Sequence, residues 1–258
     1  MRRWILLTLA ALACGASAHA ACSNTAFGAA TCIHAASNTN ASSGSSVITT
    51  LSTTAGHLYV LQAQWCQNSS CNSATTSSNG TIAATGCTET FHVAAASTAD
   101  LSFSGVFMAV KTWYVFNSAG SCTSFTITVT GSPFYMQLAV SEWSGPSSFS
   151  QTDSYDKGGT AIFNPCTTCT VSTSSSTTHA TELIIGFENN GGQTATPVSP
   201  AIVVVVNATN GRAFVAANTV SSTGTQSMSW TQSSSSAQMA LATFNLGSPI
   251  PRKKMGPF

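Results

Sequence analysis

An all-β sandwich is the fold this sequence predicts, and three observations predict it. Apolar and polar residues alternate with period two along most of the chain, and no segment carries a capped apolar stripe of helical period. Clusters of Ser, Asn and Gly punctuate that alternation, as turns between strands require. Of 258 residues, 77 are Ser or Thr and only 15 are charged, so the solvent side of the alternation is made of hydroxyls.

Residues 1–20 have the layout of an export leader. Arg2 and Arg3 supply the positive start, Trp4 to Ala13 an apolar stretch of ten residues, and Ala18-His19-Ala20 a small-x-small cleavage motif. A spanning helix needs roughly 20 apolar residues, so the stretch is too short to remain as an anchor. The mature chain is expected to start near Ala21 and to reside outside the cytoplasm, secreted, periplasmic or on the cell surface.

The strands follow in order. Residues 57–66 form a long apolar run, 88–95 and 106–116 carry aromatics, and 123–130 reads TSFTITVT, with Phe125, Ile127 and Val129 on one face and threonines on the other. Further runs lie at 134–143, 181–188, 201–207, 212–220, 225–231 and 237–246, rich in the β-branched and aromatic residues that suit a pleated surface. Turn stock lies at 67–80, 189–196 and 207–211. About a dozen strands fit one large sandwich of jelly-roll or immunoglobulin-like type over 21–248, followed by a flexible basic tail, 249–258.

Nine cysteines fall to eight once the leader, with Cys14, is removed: Cys22, Cys32, Cys66, Cys71, Cys87, Cys122, Cys166 and Cys169. An even number in an exported chain predicts disulfides. Short loops suggest Cys22–Cys32 and Cys166–Cys169, leaving Cys66, Cys71, Cys87 and Cys122 to pair among themselves. Cys166-x-x-Cys169 stands without a second such motif, which argues against a zinc site.

Charge excludes one class of partner. Between Ala21 and Gly247 stand three bases and seven acids, a net of −4, and no basic face exists there for a phosphate backbone. Nucleic acid is therefore not expected as a partner, nor is a membrane span in the mature chain. The one basic run, Arg252-Lys253-Lys254, lies in the proline-punctuated tail.

Several pieces in a fixed order resemble a family of uncharacterised exported β-sandwich domains of bacterial envelope and secreted proteins. They are Thr53-Thr54-Ala55-Gly56 before an apolar strand, Trp113-Tyr114 before a turn, Ala139-Val140-Ser141-Glu142-Trp143-Ser144-Gly145, Glu182-Leu183-Ile184-Ile185-Gly186, and Met228-Ser229-Trp230 with Ala240 to Phe244. The likeness runs from about residue 45 to 247. It implies a jelly-roll-like sandwich of surface proteins and supplies no catalytic residues to carry over. The cysteine-rich stretch 66–87 departs from the pattern.

Candidate chemistry is sparse because ionisable groups are few. Glu142 shares strand parity with Phe134, Met136, Leu138 and Val140, and an acid on an apolar side must be paired, hydrogen-bonded or neutral. Its expected role is to accept from loop amides near Ser144-Gly145-Pro146. A hydrolase would need a second carboxylate roughly 5–10 Å away, for which Glu182 on another strand is the candidate. Glu182 and Glu188 cannot themselves be that pair, being six residues apart on one strand, roughly 20 Å. No serine lies in a Gly-x-Ser-x-Gly elbow, and His34, His57, His92 and His179 form no metal motif. Asp153-Ser-Tyr-Asp156 could wrap calcium through two acids, although a plain turn is the simpler account. No cofactor is expected.

Aromatics offer a binding role, since sugar rings stack on exposed aromatic faces. Tyr135 and Trp143 lie opposite the apolar parity of their run, and Trp113 precedes a turn, which makes the three candidates for a ligand-binding strip. The expected function is thus a non-catalytic module with a structural, adhesive or polysaccharide-binding role, whose partners are extracellular polysaccharide or other envelope proteins. Two alternatives stand beside it: a carboxylate-dependent extracellular hydrolase, and a filament subunit using the uncharged run Ala201 to Val206 for strand addition.

Overall fold

The computed structural model describes residues 19–20, 22–40, 44, 46–150, 152–190, 193–207 and 213–247. Most of the leader, the expected first mature residue Ala21, Arg212 and the basic tail lie outside the described residues. Within them the chain is an all-β sandwich of seventeen strands with three short 3₁₀ turns.

Three sheets stack. The first sheet contains β1 (His19–Ala20), β15 (Ile202–Asn207), β16 (Ala213–Val220), β13 (Glu182–Asn190), β17 (Ser227–Asn245) and β12 (Tyr155–Ser172) in that order, with β14 (Ala195–Pro197) on β17. The middle sheet runs β2 (Ser23–Phe27), β3 (Ala30–Asn40), β11 (Phe134–Ser144), β5 (Leu58–Cys66), β9 (Val106–Val115) and β7 (His92–Val93), with β8 (Ala99–Phe103) also on β9. A small sheet of β4 (Ser46–Thr50), β10 (Ser124–Val129) and β6 (Gly80–Thr85) completes the set. Among the described residues neighbouring strands pair antiparallel throughout.

Three apolar layers separate these parts. Leu58, Val60, Val110, Ala139 and Trp143 of the middle sheet meet Leu183, Ile185, Phe187, Ala242 and Phe244 of the first. On its other face the middle sheet sends Tyr59, Leu61, Trp65, Leu138 and Val140 against Val47, Phe125, Ile127 and Val129 of the small sheet. The middle sheet is therefore covered twice, which is why every residue of β5 is buried.

The third layer comes from one long hairpin that folds over. β12 and β17 pair along the first sheet, break register between Phe163 and Thr168, and continue as Thr168–Ser172 against Ser227–Thr231. This distal half returns across the outer face of the same sheet, so that Cys169, Val171, Met228 and Trp230 cover Ile184, Phe214 and Leu241. The fold-back fixes two glycines: a Cβ at Gly159 would strike the Ser172 carbonyl, and one at Gly186 would strike the Trp230 ring. The runs expected at 225–231 and 237–246 are thus one strand crossing the bend through its serines.

All eight cysteines pair, as Cys22–Cys32, Cys66–Cys71, Cys87–Cys122 and Cys166–Cys169. The last pair sits at the bend of the hairpin. β15, the run considered for strand addition, pairs with β16 on one side, and on the other only with the two residues of β1, which belong to the expected leader, so cleavage after Ala20 makes β15 the edge of the first sheet.

Candidate functional site

Register brings His34, Glu142, Tyr59 and Val115 into one row across four strands of the middle sheet. Glu142 is completely buried, on the face toward the small sheet. Two imidazoles flank its carboxylate: His57 Nδ1 lies 2.5 Å from Oε1 and His34 Nε2 lies 2.6 Å from Oε2. The Thr54 backbone N–H donates to Oε1 at 2.9 Å. The His34 contact is close without the alignment of a hydrogen bond, whereas that of His57 is aligned.

Each ring meets the carboxyl through one nitrogen, Nδ1 of His57 and Nε2 of His34. The separations of 2.5 and 2.6 Å are shorter than metal ligation allows, since two donors on one tetrahedral metal ion sit roughly 3.3 Å apart, given bonds near 2.0 Å. The chemistry is that of a carboxylate holding a loop and two rings in place.

A second layer of bonds supports it. Tyr59 donates its hydroxyl to the Thr54 carbonyl at 2.6 Å, Ser118 Oγ donates to the Tyr59 oxygen at 2.5 Å, and Ser118 N–H donates to the His57 carbonyl at 3.2 Å. Burial pushes the Tyr59 hydroxyl up, and the carboxylates of Glu142 and Glu89 add to this against the bonds from Ser118 and Thr53. The loop that Glu142 holds is Thr53–His57, before β5, and not the expected turn at Ser144-Gly145-Pro146. No local motif marks His34 and His57 as its partners; only the strand register joins them.

Glu182 does not join Glu142. It lies on the first sheet, on the face turned away from the middle sheet, among the residues of Asp156 and Lys157 at the start of β12. Two sheets stand between the acids, each pair of layers spanning roughly 10 Å, so the spacing that a two-carboxylate hydrolase needs is not met by this pair.

Asp156 is engaged as well. Its oxygens accept from the Thr178 N–H at 2.5 Å and the Thr178 hydroxyl at 2.7 Å, and Lys157 Nζ stands 3.1 Å away. Burial alone would raise Asp156, but the bonds from Glu182, Thr178 and Lys157 hold it well below the usual carboxylate range. These contacts take Asp156 out of the calcium loop that its spacing from Asp153 suggested; Asp153 stays in an exposed turn. Among the described residues, Cys87, Glu89 and Cys122 also lie close enough to suggest metal binding, but both sulfurs belong to a disulfide.

The aromatic strip is corrected by burial. Trp143 is fully enclosed between the first and middle sheets, edge-on to Phe27 at 5.2 Å and donating Nε1–H to Ser141 Oγ at 2.8 Å. Trp113 is buried toward the small sheet, with Lys111 Nζ 5.0 Å from its ring centre. Opposite parity did not mean solvent, because both faces of the middle sheet are covered. Tyr135 alone of the three is exposed, at a register irregularity with φ +47°.

The two outermost faces of the stack are uncharged hydroxyl ladders. On the small sheet the rows are Thr50–Ser124–Thr85, Ile48–Thr126–Ala83 and Ser46–Thr128–Thr81. On the folded ribbon they are Thr196–Thr231–Thr168, Ser229–Thr170 and Ser227–Ser172. Compared with protein-family models, with curated proteins and with solved structures, the chain finds no match.

Proposed function

We propose that this chain is an exported, non-catalytic module that adheres to neutral polysaccharide in the cell envelope or outside the cell. The observation that carries the reading is the pair of charge-free Ser/Thr ladders on opposite outer faces. Hydroxyls exchange hydrogen bonds with a sugar surface, and the absence of charge removes both the desolvation cost of ions and repulsion from like charges. The leader pattern and four cysteine pairs support an oxidising compartment. No described helix is long and apolar enough to cross a membrane. The enclosure of Glu142 by His34 and His57, with the Thr54 N–H bonded to it, favours a structural role for that acid over a catalytic one.

Retention of the mature protein on insoluble neutral polysaccharide tests the reading. Wild type should be held and released by soluble neutral glycan, and Thr126→Asp with Thr128→Asp on the small sheet should weaken retention severalfold without changing the circular dichroism. Equal retention of the two proteins, or none of either, sinks the face-contact reading. N-terminal mass analysis of the exported chain checks cleavage after Ala20 separately.

A further inference from the structure

At the β7 edge of the middle sheet the surface opens into a cavity of about 480 Å³. Its walls are two short segments, Thr88–Thr90 with His92 on one side and Val115–Ala119 on the other. That size lies within the roughly 300–1,000 Å³ of small-ligand sites.

Aromatic stacking shapes it. A ladder of rings runs from the apolar layer outward: Tyr155 on Tyr114 at 5.4 Å, Tyr114 beside His92 at 5.4 Å, and His92 stacked on Phe116 at 4.8 Å. The inner rings are packed, so the outer two are held against movement. Phe116 is half-buried and gives the cavity an apolar ring.

Polar groups converge beside that ring. The Ala119 N–H donates to both oxygens of Glu89, at 3.0 and 3.2 Å, which fixes the carboxylate in the wall. Asn117 adds an amide from a backbone at φ +49°, tied by its N–H to the Phe149 carbonyl at 3.0 Å. Thr88 and Thr90 add hydroxyls. The wall is not free to drift, because Ser118 bonds the His57 carbonyl and accepts from Gly56 N–H at 2.9 Å, joining it to the loop that Glu142 holds.

We infer that this cavity is a saccharide subsite, which takes a neutral sugar unit with its ring on Phe116 and its hydroxyls on Glu89 and Asn117. The chemistry selects the class. A sugar needs an apolar surface for its C–H face and mixed donors and acceptors for its hydroxyls, and the lining offers both. Neither Lys nor Arg lines the cavity, and the fixed Glu89 carboxylate repels phosphate, sulfate and uronate. The inference deepens the polysaccharide reading by naming a discrete site for it, separate from the flat hydroxyl faces.

Calorimetric titration of the mature protein tests it, with cello-, manno-, xylo- and malto-oligosaccharides as probes and an oligogalacturonate as the anionic comparison. At least one neutral oligosaccharide should bind and the oligogalacturonate should not. Phe116→Ala should weaken binding roughly tenfold or more, the loss of one good stacking contact. Glu89→Gln should weaken it severalfold, and Phe116→Trp should retain it. Asn117→Gly, at an exposed position whose φ of +49° glycine adopts freely, gives a readout if Phe116→Ala does not fold. The inference is overturned if no neutral probe binds, if the Phe116 and Asn117 variants bind like wild type, or if the oligogalacturonate binds equally well. Retention on insoluble polysaccharide without any oligosaccharide binding would reject the subsite and leave the face-contact reading standing.

Discussion

Glu142 on the middle sheet and Glu182 on the first sheet are equally buried, yet they keep opposite company. Glu142 faces two imidazoles and accepts from a backbone N–H, so polar partners meet it where it stands. Glu182 faces the carboxylate of Asp156. Two carboxylates cannot bond each other, and protonation turns Glu182 into a donor to Asp156. Burial first, then the Asp156 bond, pushes Glu182 up to about 8, with Thr243 and Lys157 opposing. The difference teaches that depth alone does not fix the role of an acid: neighbours decide whether a buried carboxyl anchors a loop as an acceptor or closes a network as a neutral donor.

The largest effect is expected at Glu142. Glu142→Ala removes the acceptor for Thr54 and His57 at once and should cost about 1–3 kcal/mol for each sheltered donor left unsatisfied. Glu142→Gln keeps an acceptor for Thr54 and should cost less. Urea unfolding reads both as a shift of midpoint at constant slope. A loss below about 1 kcal/mol for the alanine variant would mean that the Thr53–His57 loop is held by its backbone bonds and by Tyr59 instead.

The neutral acids should show themselves as a slope with pH. Glu182 and Glu188 both stand at about 8 in the folded protein against an ordinary 4.5, Glu188 raised by burial with Asn190 opposing. A raised acid holds its proton longer when folded than when unfolded. Its stabilisation is present below about pH 4.5 and is lost as pH climbs toward 8. Asp156 has the opposite sign: its lowered value contributes stability that is lost in acid, as pH falls through its folded-state range. Stability should therefore fall from about pH 5 to 8, at up to roughly 1.4 kcal/mol per pH unit for each glutamate. Glu182→Gln and Glu188→Gln should each flatten that fall in chemical denaturation across the range. An unchanged slope in both variants would place the proton elsewhere.

Much of the fold is legible in the sequence because period two survives in it. TSFTITVT alternates cleanly since β10 has one covered face, and the burial of Phe125, Ile127 and Val129 follows. β3, ATCIHAASNTN, gives no such signal because its inward residues are Cys, Ala and Ser, too small to stand out. β12 contains Gly158, Gly159 and Pro165 and looks like loop, yet Gly159 is what lets the folded ribbon close on the sheet. The site shows the same division. Glu142 is visible as an acid on an apolar side, while its two histidines reach it through strand pairing that no local pattern encodes. Trp143 misleads for a related reason: parity tells which side of a strand a residue takes, and only the number of layers tells whether that side is wet.

The smallest expected effect separates the two histidines of the Glu142 centre. His57 is 20% exposed and its contact is aligned, whereas His34 is 35% exposed and its contact is not. A hydrogen bond to a buried charged group is worth about 1.5–3 kcal/mol, and a solvent-screened pair about 0–1 kcal/mol. His57→Ala should therefore cost more than His34→Ala. Combining either with Glu142→Gln in a double-mutant cycle isolates each ring's own coupling to the carboxylate. A larger coupling at His57 would establish that alignment and shelter, and not proximity alone, set what a ring gives to this centre; a larger one at His34 would reverse the assignment and make β3 the stronger hold on Glu142.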